Sequence, residues 1–146
     1  MKYVSNGIED TQKLATQLAE KSVKGGVGPL VFALMGELGA GKTVFVKAFA
    51  KALGVDGPVN SPTFILMHPY EIDARHYKML YHIDAYRIET AEDFGPIGIG
   101  EVLDGNENIV LMEWADRVER LVPENAIWIY IKHTGENTRE IEVTGL

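Results

Sequence analysis

The stretch GELGAGKT, residues 36–43, constrains this chain more than any other. It fits the pattern G-x-x-x-x-G-K-[ST] and lies between an apolar run, PLVFALM, and a helix-like segment, KTVFVKAFAKALG. Gly36, Gly39 and Gly41 let the backbone turn with its N–H groups facing inward and no Cβ in the way. Those N–H groups, with the N-terminus of the following helix, bind phosphate oxygens. Lys42 offers a mobile charge to the β- and γ-phosphates, and the Thr43 hydroxyl suits magnesium. The simpler reading is a glycine turn joining a strand to a helix. At an average glycine usage of about 7%, the full pattern rarely arises by chance. Here it also sits where the mechanism needs it, and it reads as a nucleotide-phosphate cradle.

The flanking segments give the fold class. PLVFALM is a continuous apolar run of the kind found in a strand covered on both faces. In KTVFVKAFAKALG, the positions Val44, Phe45, Ala48, Phe49 and Ala52 form one helical face, and Gly54 is the expected stop. Upstream, NGIEDTQKLATQLAEK reads as an amphipathic helix with Leu14, Ala15, Leu18 and Ala19 inward and Asn6 with Glu9 as a capping pair. TFILMHPYE and YKMLYHIDAYRI are strand-like and separated by IDARH, which predicts an antiparallel hairpin. AEDFGPIGIGEVLD is glycine-rich and partly helical, NIVLMEW a buried strand, ADRVERL a short helix, and AIWIYIKH and TREIEV closing strands. No repeat or linker interrupts them. The expectation is one α/β domain over residues 1–146, a P-loop NTPase fold with a mixed, mainly parallel central sheet and helices on both faces.

Composition narrows the function classes. A chain of 146 residues suits one core. The net charge of −7 and the lack of a Lys/Arg run argue against a broad nucleic-acid-binding face. The absence of cysteine removes disulfides, zinc thiolates and thiol nucleophiles together. MKYVSNGIED lacks a signal-peptide core, and LVFALM is far too short to span a bilayer. The expected location is cytoplasmic, with no membrane role.

A phosphate cradle of this type needs an acid at the end of a nearby strand to hold magnesium through its waters. Asp84 after MLYHI and Glu113 after IVLM both have that form, and spacing alone does not choose between them. In NSPTF, Pro62 stiffens a loop that presents the Ser61 and Thr63 hydroxyls. Such a loop either senses a γ-phosphate or is a plain Ser-Pro turn. His68, His76 and His82 flank the hairpin, but they show no helical zinc spacing and no thiolate supports them.

Together, Thr11 in EDTQKLA, GELGAGKT, SPTF, YHIDAYR and LMEWADR resemble the TsaE (YjeE) family of small P-loop ATPases, in that family's order and over nearly the whole chain. HIDAYR and MEW are more specific than the phosphate-binding motif, which many families share. The resemblance implies ATP and Mg2+ as cofactors and a role in making threonylcarbamoyladenosine beside the anticodon of tRNA. The partners it implies are TsaD and TsaB, with tRNA met only through the complex and the transfer itself performed by TsaD. By position it implies that Gly39, Ala40, Gly41, Lys42 and Thr43 hold the phosphates, with Gly36 and Val44 also among the nucleotide-binding residues, and that Thr43 and Glu113 serve the magnesium. Thr11 falls at the base or sugar end, Thr63 in a switch-like loop, and Asp84 near the γ-phosphate, where it positions the attacking water beside Lys42. Glu37 stands in place of the commoner Asp and Val44 in place of a second Thr, and neither change touches the phosphate contacts.

One expectation concerns rate. No glutamine is evident for orienting water, and Arg87 and Arg117 are only candidates for an arginine finger. A missing finger can mean about 10³–10⁵ in rate, so the isolated protein should hydrolyse ATP slowly. A small-molecule or nucleoside kinase is the main rival, but few residues remain for an acceptor pocket and an arginine-rich lid. A nucleic-acid binder that uses ATP and an adaptor that only binds it are the others.

Overall fold

The computed structural model describes residues 1–37, 39–55, 57, 59, 67–86, 88 and 98–146. In chain order these form β1 (Lys2–Ser5), α1 (Ile8–Gly25), β2 (Leu30–Met35), α2 (Lys42–Ala52), β3 (Met67–Ala74), β4 (Tyr77–Asp84), α3 (Ile99–Asp104), β5 (Asn108–Glu113), a 3-10 helix (Ala115–Leu121), β6 (Ile127–His133) and β7 (Arg139–Thr144). The strands make one sheet in the order β1-β7-β6-β2-β5-β4-β3. Its centre, β6-β2-β5-β4, is parallel. The flanking pairs, β1 with β7, β7 with β6 and β3 with β4, are antiparallel.

Alternation along the central strands explains why PLVFALM is apolar throughout. Phe32 and Leu34 of β2, with Ile109 and Leu111 of β5, face one core that contains α1 and α2. Val31, Ala33, Val110 and Met112 face the other, against α3 and the 3-10 helix. Phe49 of α2 meets Phe32 edge-on with ring centroids 4.8 Å apart, a geometry that adds to simple burial. Helical elements thus cover both faces, and the parallel centre brings the carboxyl ends of β2, β4 and β5 to one edge.

Several boundaries differ from expectation, each for a local reason. Helix α1 starts at Ile8 with Gly7 as its N-cap, so the third helical residue is Asp10, and Asp10, not Glu9, accepts from the Asn6 N–H at 2.9 Å. The fully buried stripe of α2 is Phe45, Val46, Phe49 and Ala50, while Val44, Ala48 and Ala52 are half-buried. The stripe turns this way because α2 packs on α1 as well as on the sheet. The hairpin turn is confined to Arg75 and His76, and Ile72 to Ala74 extend β3. Strand β1 had no forecast, since only Ser5 of its four residues is buried. TFIL at the start of the expected hairpin strand lies outside the described residues, as does most of AEDFGPIG. No helix among the described residues is long and apolar enough to cross a membrane.

Candidate functional site

Between β2 and α2 the chain turns through three glycines with positive φ: 154° at Gly36, 78° at Gly39 and 109° at Gly41. At Gly36 there is a second reason for glycine. A Cβ there would sit 2.6 Å from the Ile131 carbonyl oxygen of β6. Among the described residues no side-chain hydrogen bond caps α2 at Gly41, so the first N–H groups of that helix suit another acceptor. A helix start of this kind favours an anion.

Lys42 is buried at the head of α2. Its Nζ donates to the Gly36 carbonyl and lies 3.4 Å from the Trp114 ring centroid. Burial pulls its pKa below the ordinary lysine value, against the opposing charges of Glu113, Asp84 and Asp116. These acids arrive by strand register. Asp84 ends β4 opposite Glu113 at the end of β5, and Glu113 is opposite Leu34 of β2. Carboxyl ends of parallel strands are where open α/β sheets bind ligands.

The two acids differ in environment. Glu113 is 4% exposed, and its Oε2 lies 2.5 Å from His82 Nε2, also buried. Among the described residues His82 Nδ1 is buried without a hydrogen-bond partner. Asp84 is held up from the usual carboxylate range by burial. The Tyr86 N–H, donating to Oδ1 at 2.9 Å, opposes that shift; Glu113 adds to it, and His82 and Lys42 reduce it.

Around this centre lie the other residues singled out from the sequence. Thr43 is exposed on the first turn of α2. Thr11 is buried, with Oγ1 2.8 Å from Ser5 Oγ. The Ser5 hydroxyl donates to Gly7 O at 2.7 Å, so Thr11 is the donor between the two. Thr11 lines a small cavity with Gly41, Val44, Asn137 and Arg139, which joins the start of α1 to the glycine loop. The Ala40 N–H turns back to Glu37 O at 3.0 Å. Arg117 sits beside Trp114 and Tyr86, its Cζ 5.8 and 5.3 Å from their ring centroids. Thr63, with the rest of SPTF, and Arg87 lie outside the described residues. Of the remaining histidines discussed above, His76 Nε2 meets Asn106 O at 2.6 Å and His68 packs edge-on to Tyr70.

Two residues at the site had no forecast. His133 at the end of β6 places Nε2 3.1 Å from Gly39 O, and Arg139 at the start of β7 donates from Nε to Ala40 O at 2.9 Å. Each reads in sequence as an ordinary strand terminus. Only the position of β6 beside β2 brings them to the loop.

Comparison with known proteins adds a decisive observation. The family model described as "Threonylcarbamoyl adenosine biosynthesis protein TsaE" matches residues 5–141. The chain belongs to the TsaE family. A tRNA threonylcarbamoyladenosine biosynthesis protein TsaE of Bacillus subtilis is 36% identical over 100% of this chain and 86% of its own. The protein of the same name from Aquifex aeolicus is 41% identical over 92% of this chain and 89% of its own. A third, from Treponema pallidum, is 36% identical over 98% and 99%. Among solved structures, YdiB of Bacillus subtilis superposes with a TM-score of 0.74 and 32% identity, covering 97% of this chain and 82% of its own.

Proposed function

We propose that this chain is the ATP-binding and ATP-hydrolysing component of tRNA threonylcarbamoyladenosine biosynthesis, a slow magnesium-dependent ATPase of the cytoplasm. In this reading it supports turnover of a TsaD–TsaB pair, which performs the transfer, and meets tRNA only through that complex. The names of its relatives support the pathway. The single observation that carries the chemistry is the meeting of Lys42, Asp84 and Glu113 beside an uncapped helix start.

Each residue then has a task that its surroundings suit. The N–H groups of the loop and of α2 bind phosphate oxygens, and Lys42 neutralises charge at the β- and γ-phosphates. Lys42 must leave Gly36 O to do so, which its flexible stem allows. Thr43 and Glu113 would hold magnesium, which neutralises charge on the phosphates when bound. His82 fixes Glu113 by one carboxylate oxygen, and the other is the one by which Glu113 would help to hold magnesium. Asp84, with a raised proton affinity and a backbone N–H orienting it, is suited to position the attacking water. Thr11, Val44 and, from the switch-like loop, Thr63 complete the nucleotide's surroundings.

Calorimetric titration with ADP and with ATP, each with and without magnesium, tests the reading. Wild type should bind both. Lys42→Met should weaken ATP binding by about tenfold or more, equivalent to 1.4 kcal/mol, and Glu113→Gln should remove most of the magnesium dependence. A wild-type protein that binds neither nucleotide would end the proposal.

A further inference from the structure

We infer that the β6–β7 hairpin is a clamp that sets the peptide orientations of the phosphate loop, with Arg139 as its principal positioning residue. The inference rests on the nucleotide-site reading above and extends it to a part of the chain that the loop motif does not include.

His133 and Arg139 are opposite each other on the terminal rung of the β6–β7 ladder. From that rung they reach consecutive carbonyls of the loop: His133 Nε2 lies 3.1 Å from Gly39 O, and Arg139 Nε 2.9 Å from Ala40 O. Arg139 is also tied back to the hairpin, its Nη1 donating to Thr138 O at 3.0 Å. His133 Nδ1 lies 3.1 Å from Gly135 O, and an imidazole with one N–H donates either to that carbonyl or to Gly39 O. The guanidinium is always charged, so its bond to Ala40 O is the stronger, charge-assisted one.

A trans peptide is planar, so fixing its carbonyl fixes the next N–H in the opposite direction. Arg139, holding Ala40 O on its own side, therefore turns the Gly41 N–H away from the hairpin. That N–H is the one at the N-cap of α2, where no side chain among the described residues serves as a cap. The loop's own bond from the Ala40 N–H to Glu37 O holds the Gly39–Ala40 peptide, so the Ala40–Gly41 peptide is the one Arg139 has to set. Gly39 and Gly41 flank the clamped peptides, and glycine enters alternative backbone regions with small penalty. A flipped Ala40–Gly41 peptide would present a carbonyl oxygen where a phosphate needs a donor. Arg139 opposes that flip from outside the loop, and its part is to keep the donors in place rather than to touch the phosphate.

The test compares wild type with Arg139→Met, which removes the donor but keeps the stem, and with Arg139→Lys, which restores a cationic donor. ADP affinity is measured by calorimetry, thermal stability without nucleotide by circular dichroism, and the Gly41 amide by ¹⁵N-resolved NMR. Arg139→Met should weaken ADP binding about tenfold or more, shift the Gly41 amide, and leave the melting temperature within about 3 °C. Arg139→Lys should fall between the two. ADP affinity within twofold of wild type in Arg139→Met, with an unmoved Gly41 amide, would overturn the inference. So would an affinity loss that only tracks a fall in melting temperature. If Arg139→Met does not fold, Arg139→Lys decides: wild-type affinity with an unshifted Gly41 amide overturns the clamp, and a partial loss with a shift supports it. Failure of wild type to bind ADP would instead remove the nucleotide reading itself.

Discussion

Substituting alanine at Gly36 should damage the fold far more than the same change at Gly39, although both belong to one loop. At Gly36 the added Cβ would lie 2.6 Å from Ile131 O, closer than real Cβ contacts come. The oxygen cannot retreat easily, because β6 is paired with β2 on one side and β7 on the other. Relief of an overpacked contact of this kind costs about 1–3 kcal/mol. Holding a non-glycine residue at a φ of 154° adds strain of about 1–3 kcal/mol. At Gly39 nothing among the described residues lies within 4 Å of the added atom, which leaves the strain of a φ of 78°. Both variants carry φ strain of about 1–3 kcal/mol, and the contact adds about 2 kcal/mol at Gly36. At roughly 2–4 °C per kcal/mol for a domain of this size, Gly36→Ala should melt about 4–8 °C below Gly39→Ala. Urea and thermal melts without nucleotide read this directly. Equal destabilisation by the two changes, within ~0.5 kcal/mol, would refute the argument that β6 presses on the start of the loop.

Other consequences follow from the acids and the core. Asp84→Asn should keep ADP affinity within about threefold but stop turnover, as the role of positioning water requires; loss of binding would make Asp84 a ligand-holding residue instead. The same change should stabilise the nucleotide-free protein at neutral pH. Because burial raises the folded pKa of Asp84, its ionisation opposes folding progressively as pH rises from the usual carboxylate range through that raised value. The gain from Asn should therefore vanish below pH ~4, and urea melts at neutral and acid pH that show no such difference would contradict it. His82→Phe should cost about 2–3 kcal/mol by leaving the Glu113 carboxylate without its buried partner; His82→Gln, which can still donate, should recover part of this in the same melts. Phe49→Ala, in contact with Phe32 and Phe45, should cost about 3–5 kcal/mol in chemical denaturation.

Local rules made β2, the glycine loop and α2 legible in the sequence, because strand, turn and helix follow one another and each announces itself by pattern. The choice between Asp84 and Glu113 was not local. It depends on β4 lying beside β5 and β5 beside β2, and that strand order brings both acids to Lys42. Strand β1 carries little sequence signal, because it is short, mostly exposed and, among the described strands, paired with β7 alone, 134 or more residues away in the chain. The capping pair at α1 slipped by one residue because Gly7, with no side chain to mark it, is the N-cap. His133 and Arg139 carry no signal of their own. Their meaning comes from the sheet, which sets the β6–β7 hairpin against a loop nearly a hundred residues earlier.

Release of phosphate from ATP with magnesium, by the protein alone and then with TsaB and TsaD added, tests the proposed function most directly. The account predicts release slower than ~1 s⁻¹ alone and a sharp rise with the pair, as expected if the complex completes the arginine or switch residues of the site. Fast release by the isolated protein, or release unmoved by the pair, would leave the phosphate loop standing and contradict the partner-dependent ATPase.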